Sequence, residues 1–110
     1  MGATTTIATG TSIATLINVF VVRPERQRRL VELLVAATED VIRHQPGFVA
    51  ANIHASEDGT RVVNYAQWES PEAFRAMLAS PDAQAHLREC GELAESFDPH
   101  LHTVESVHHR

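Results

Sequence analysis

From Ala14 to Val22 the chain is nearly continuous apolar sequence with many β-branched residues, broken by Asn18, which predicts a strand buried on both faces. Pro24 and Glu25 then open a helix, since proline suits the first turn and an acid there complements the dipole. Leu30, Leu33, Leu34, Ala37 and Val41 recur at helical spacing as its inward stripe, and Pro46-Gly47 ends it. Phe48 to Ala55 and Thr60 to Glu69 read as two strands joined by the turn Ser56-Glu57-Asp58-Gly59 into an antiparallel hairpin. Ser70 caps a second helix that has Pro71 at its first position and Phe74, Met77 and Leu78 facing inward. Ser80-Pro81-Asp82 repeats that start signal, so the helical region breaks and resumes through Ala83, Leu87, Cys90 and Ala94. Pro99 punctuates it, and alternation from His100 to Val107 predicts a last strand.

The order strand, helix, strand, strand, helix, strand is the split βαβ arrangement. It predicts an α+β, ferredoxin-like domain (βαββαβ) with one four-stranded antiparallel sheet and helices on one face. Strand alternation leaves Ile17, Val19, Val21, Val49, Ile53 and Val63 on the other face, opposite Asn18 and Asn64. Such an apolar sheet face calls for a partner, and the expectation is a two-fold homodimer packed sheet against sheet.

At 110 residues the chain makes a single domain, expected to span 13–110 behind a flexible Thr-, Ala- and Gly-rich tail of residues 1–12 that lacks the positive start of a signal peptide. The net charge of -5, with only nine Lys and Arg, argues against a nucleic-acid partner. No apolar stretch is long enough for a membrane span, so no membrane association is expected. Cys90 is the only cysteine, which excludes an internal disulfide or a thiolate metal cage and points to the cytoplasm.

The chemistry concentrates at Asn64-Tyr65-Ala66-Gln67-Trp68-Glu69-Ser70. An amide and an indole four residues apart on a strand face the same way, with the small Ala66 between them. A group able to donate or accept, beside a large flat ring with one N–H, suits a planar oxygenated aromatic guest. With Asn64, Val62, Ala66 and Trp68 toward the helices, the sets Phe48, Ala50, Asn52, His54 and Leu16, Asn18, Phe20 are expected to face the same cavity. Phe74, Met77, Leu78 and Arg88 of the helices would close it. Each residue also has a plain structural use: Trp68 as core, Asn18 at a strand irregularity, His54 solvated near a turn, Arg88 as a surface charge. His100, His102, His108 and His109 have no carboxylate at a ligand spacing, so no metal site is expected. Phosphate-loop, dinucleotide and nucleophile-elbow motifs are absent from the sequence.

Pro46-Gly47-Phe48, His54-Ala55-Ser56 with Asp58-Gly59, the run Val62 to Ser70, and Leu87-Arg88-Glu89 together resemble the antibiotic-biosynthesis monooxygenase superfamily. Within it they are most similar to the anthrone monooxygenase branch of the actinorhodin type. The resemblance implies a dimeric α+β barrel that oxygenates an anthrone-like polyketide phenol to a quinone with O2, without metal, flavin or haem. It also implies functional roles for Asn64, Trp68, Arg88 and His54. Where that branch carries a tyrosine thought to assist proton transfer, this chain has Phe74, which leaves His54 or a water as the expected base. Two alternatives stand beside it. One is a haem-degrading enzyme of the same fold, which Asn18 suits but Met77 and the one-residue offset of His86 do not. The other is a non-catalytic dimer that binds an aromatic ligand.

Overall fold

The computed structural model describes residues 2–110 and realises the expected order, with strand β1 (Ala14–Val21), helix α1 (Gln27–Asp40), β2 (Phe48–Ala55), β3 (Arg61–Trp68), α2 (Pro71–Leu78), α3 (Pro81–Leu93) and β4 (Ser96–His102). Short 3-10 turns at Pro24–Arg26 and Ile42–His44 flank α1. All neighbouring strands are antiparallel in the sheet order β2-β3-β1-β4, the ferredoxin-like arrangement. Among the described residues no helix is long and apolar enough to cross a membrane.

Local chemistry explains the breaks. Ser70 Oγ accepts from the Ala73 N–H at 3.1 Å, and Pro71 occupies the first turn, so α2 starts immediately after β3. The Pro46-Gly47 turn brings Gly47 to φ +83°, and its carbonyl accepts from Glu69 N–H at 2.8 Å, which ties the start of β2 to the end of β3.

The last strand begins and ends earlier than the alternation from His100 predicted. Glu95 N–H donates to Val21 O at 2.8 Å directly after α3, and pairing then runs Phe97 opposite Phe20 to Leu101 opposite Leu16. Pro99 therefore lies inside β4, not at its border, which an edge strand tolerates because one row of its N–H groups has no ladder partner.

The helix side of the sheet holds the core in two parts. Ala14, Leu16, Ala66 and Trp68 pack with Ala37, Ile42, Phe74, Met77 and Ala83. Phe20 and Val62 pack with Val22, Leu30, Leu34 and Cys90. Between Leu16–Ala66 and Phe20–Val62 the register places Asn18 opposite Asn64, so a polar rung separates the two apolar clusters.

The opposite face carries Ile17, Val19, Tyr65, Val63 and Gln67, and among the described residues no helix covers it. Residues 2–13 ahead of β1, where a flexible tail was expected, have no helix or strand but run over part of this face. Thr5 Oγ1 donates to Asn52 Oδ1 at 2.8 Å, and Gln67 Nε2 donates to Thr6 O at 2.8 Å. Met1 lies outside the described residues.

Candidate active site

Asn64 and Trp68 stand on the helix side of β3, about 13 Å apart along the strand, with buried Ala66 between them. Trp68 is only 1% exposed and its ring is fixed by two edge-to-face contacts, with Phe48 at 5.5 Å and Phe74 at 6.2 Å between centroids. Yet the Trp68 Nε1 and Asn64 Oδ1 are both buried without any hydrogen-bond partner. Leaving a buried polar atom unpaired costs about 1–3 kcal/mol, so folds rarely do so without a use for it. Here one free donor and one free acceptor lie on one wall.

The register corrects three of the expected cavity residues. An irregularity between Phe48 and Ala50 puts Phe48 opposite Trp68 but Ala50 opposite Gln67, so Val49 is an extra residue and the rest of β2 is turned over. Ala50, Asn52 and His54 therefore face the open side with Gln67, Tyr65 and Val63, while Ala51 and Ile53 take the helix side opposite Ala66 and Asn64. Simple alternation also set Ile53 and Val49 on the open face. The bulge moves Ile53 across and leaves Val49 43% exposed. Asn52 is engaged there, since its Nδ2 donates to Tyr65 O at 3.0 Å, and His54 is exposed with its Nδ1 3.2 Å from Asn52 O.

Other expected residues divide as well. Phe20, Phe48, Ala66, Phe74 and Met77 are on the helix side, Phe20 in the cluster remote from Trp68. Leu78, expected to face inward, is 41% exposed. It follows Met77 by about 100° around α2, which turns it off the packed stripe. Arg88 is exposed as well: Ala83, Leu87 and Cys90 form the inward stripe of α3, and Arg88 lies about 140° around the helix from Ala83. Asn18 faces Asn64, but its Oδ1 accepts from Asp98 N–H at 3.1 Å across to β4, so half of that amide serves the sheet. Ala37 and Ala83 were expected on the inward stripes but not as neighbours of Trp68, and the bulge hid Ala51.

Neither of two clefts along the surface is the expected hollow beneath the helices. Both clefts lie on the open face beside the N-terminal segment. One, of about 380 Å³, is bordered by Thr4, Thr6, Thr11, Val49 and Gln67. The other, of about 630 Å³, is bordered by Ile7, Ile17, Asn52, His54, Val63 and Tyr65. The layer around Trp68 is closed, with side chains of α2 and α3 seated on it.

Ionisable groups near that layer are few. Burial pushes the Cys90 thiol up to about 11, with Glu89 adding to the effect, so it stays protonated at neutral pH. Far from it, at the hairpin turn, hydrogen bonds from the Thr60 hydroxyl, the Thr60 backbone N–H and the Ser56 hydroxyl hold the Asp58 carboxyl down at about 2. His100 Nε2 meets Asp98 Oδ1 at 2.8 Å on the exposed side of β4. Among the described residues no three His, Cys, Asp or Glu side chains are grouped to hold a metal ion.

Known proteins share this plan. The chain is 55% identical over 85 residues to the tetracenomycin-F1 monooxygenase of Streptomyces glaucescens, covering 77% of this chain and 76% of that one. Its fold matches a monooxygenase from the gene ActVA-Orf6 of Streptomyces coelicolor, solved in complex with nanaomycin D, with TM-score 0.74 and 35% identity over 91% of this chain and 93% of the other. It also matches SnoaB, a cofactor-independent oxygenase from Streptomyces nogalater, with TM-score 0.72 and 25% identity over 88% and 97% of the two chains. The family model for antibiotic biosynthesis monooxygenase matches residues 13–89, from the residue before β1 to within α3. On fold, register and sequence together, the chain belongs to the antibiotic biosynthesis monooxygenase family.

Proposed function

We propose that this chain is a monooxygenase that oxidises a polycyclic, anthrone-like phenol to a quinone with O2 and no bound cofactor. The observation that carries the reading is the pair of unpaired buried polar atoms, Asn64 Oδ1 and Trp68 Nε1, on one apolar wall. A flat ring system bearing a phenol at one edge and a carbonyl oxygen at another complements one free acceptor and one free donor. The relatives named for tetracenomycin F1 and crystallised with nanaomycin D support an aromatic polyketide substrate. SnoaB, described as cofactor-independent, supports the absence of a cofactor.

The chemistry is balanced without an added reductant. Removing a proton from the CH2 of an anthrone leaves an aromatic phenolate rich enough in electrons to reduce O2. A C–O bond forms to give a hydroperoxide, and loss of water breaks the O–O bond and leaves a carbonyl, so that CH2 and O2 become C=O and H2O. The protein has to hold the oxyanion and keep water out. Asn64 accepts from a neutral phenol through Oδ1, or offers its NH2 to the phenolate after a half-turn of the amide, while the Trp68 N–H donates to the second oxygen. No step is given to His54 or Arg88, which lie on the open face and on the outer side of α3. A tricyclic guest in this layer would have to take the place of Phe74 and Met77, which pack with Trp68.

The same reading assigns the open sheet face to a second copy of the chain. Ile17, Val19 and Val63 form its apolar centre.

The test is oxygen uptake and quinone absorbance with chelator-treated protein and an anthrone. One O2 consumed per quinone formed supports oxygenation. Quenching of Trp68 fluorescence by the same compound without uptake would mean binding without catalysis.

A further inference from the structure

Phe74 has no proton to exchange and His54 faces the open side of the sheet, so the helix-side layer holds neither the branch's tyrosine nor the histidine expected as base. One imidazole is near it. Of the seven histidines, His44, His54, His100, His102, His108 and His109 are exposed, and His86 alone is half-buried. It has no hydrogen bond or ion pair within the described residues. His86 follows Ala83 by one turn of α3 and precedes Leu87. Ala83 is fully buried in the cluster containing Trp68, Phe74 and Met77, and Leu87 packs against that cluster.

Side chains on a helix lean toward its N-terminus, so the His86 ring covers the turn around Ala83, at the edge of the Trp68 layer. By rotation it flanks the inward stripe, about 60° from Ala83, whereas Arg88 is about 140° away. Cys90, the other inward ionisable group of α3, keeps its proton.

We infer that His86 is the proton acceptor of the reaction, taking the substrate's CH2 proton onto its imidazole while Asn64 and Trp68 hold the oxygens. This rests on the oxygenase reading above. The bond broken is C–H, its electron pair remains on the substrate as phenolate, and O2 is the oxidant. The imidazolium returns the proton to the terminal peroxide oxygen; loss of the remaining proton from that carbon then forms the C=O and breaks the O–O bond, and the expelled hydroxide takes that second proton to leave as water. Histidine is the side chain best suited to such exchange near neutral pH.

The experiment compares His86→Gln and His86→Ala with the unaltered protein, using anthrone and anthrone deuterated at the methylene. Both variants are expected to lose about 10²-fold in kcat with KM nearly unchanged, since general-base catalysis typically supplies that much. The deuterium effect on kcat should grow, and added imidazole should restore turnover to His86→Ala. Melting temperatures and Trp68 fluorescence titrations should match the unaltered protein, which separates lost chemistry from lost structure. A kcat within about twofold of the unaltered protein in both variants, or a loss with no change in the isotope effect and no imidazole rescue, overturns the assignment of His86. Absence of oxygen uptake by the unaltered protein instead overturns the oxygenase reading.

Discussion

Asn64 and Trp68 share one face of β3 and each buries a polar atom that the folded chain leaves unpaired. Two such atoms cost about 2–6 kcal/mol together by the usual penalty for an unmet buried group. A ligand that meets both recovers that cost on binding. Asn64→Ala and Trp68→Phe should each lower turnover more than about tenfold, as loss of a preorganised donor does. Neither should lower the melting temperature by more than a few degrees, because each removes a polar atom that the native structure does not satisfy. Oxygen-electrode rates and thermal melts of the two variants check this, and unchanged rates in both would remove the pair from the mechanism.

Gly47 fixes how α2 sits over Trp68. Its φ is +83°, and a Cβ built there would lie 2.5 Å from the Ala73 Cβ at the start of α2. Gly47→Ala combines backbone strain with a clash against a residue that has no flexible end to move. It should destabilise the fold by about 2–3 kcal/mol, a fall of about 10 °C or more in a domain of this size. Differential scanning calorimetry checks the magnitude.

The hairpin turn makes stability depend on acid. Asp58 is held at about 2 in the fold, below its ordinary 3.8, mainly by the Thr60 hydroxyl. A carboxyl whose folded value is depressed contributes stability above its unfolded value and loses it as pH falls through the folded one. The contribution is therefore present at neutral pH and fades between about pH 4 and pH 2. Asp58→Asn should lower the urea midpoint at pH 7 and make the profile flatter than that of the unaltered chain over that acid window.

The uncovered sheet face predicts an assembly. The unaltered chain should run as a dimer by light scattering at micromolar concentration, and Val63→Asp should shift it to monomer by placing a charge among Ile17, Val19 and Tyr65. A monomeric unaltered chain would contradict the sheet-to-sheet arrangement.

Much of the fold was legible because its signals are local. The hairpin, the Ser70 cap with Pro71, and the second start at Ser80-Pro81 each depend on a few adjacent residues, and the helices and strands begin within a residue or two of those marks. The phase of β2 was not legible because it depends on a single inserted residue. Phe48-Val49-Ala50-Ala51 offers no polar residue to reveal phase, so nothing in the pattern shows that Val49 is extra and that Asn52 and His54 are turned over. Asn64 and Trp68 escaped that fate because β3 is regular throughout its pairing with β1. Arg88 and Leu78 were misplaced for a different reason: about 100° of helix rotation separates neighbours, and short helices with alanine on several sides leave the phase weakly marked.

The most direct measurement is oxygen consumption by purified, chelator-treated protein given an anthrone, followed together with quinone absorbance. One O2 should be taken up per quinone released, and uptake should be abolished or strongly reduced in Asn64→Ala. Protein that binds the anthrone, seen as quenching of its only tryptophan, but consumes no oxygen above the buffer rate would contradict the oxygenase reading.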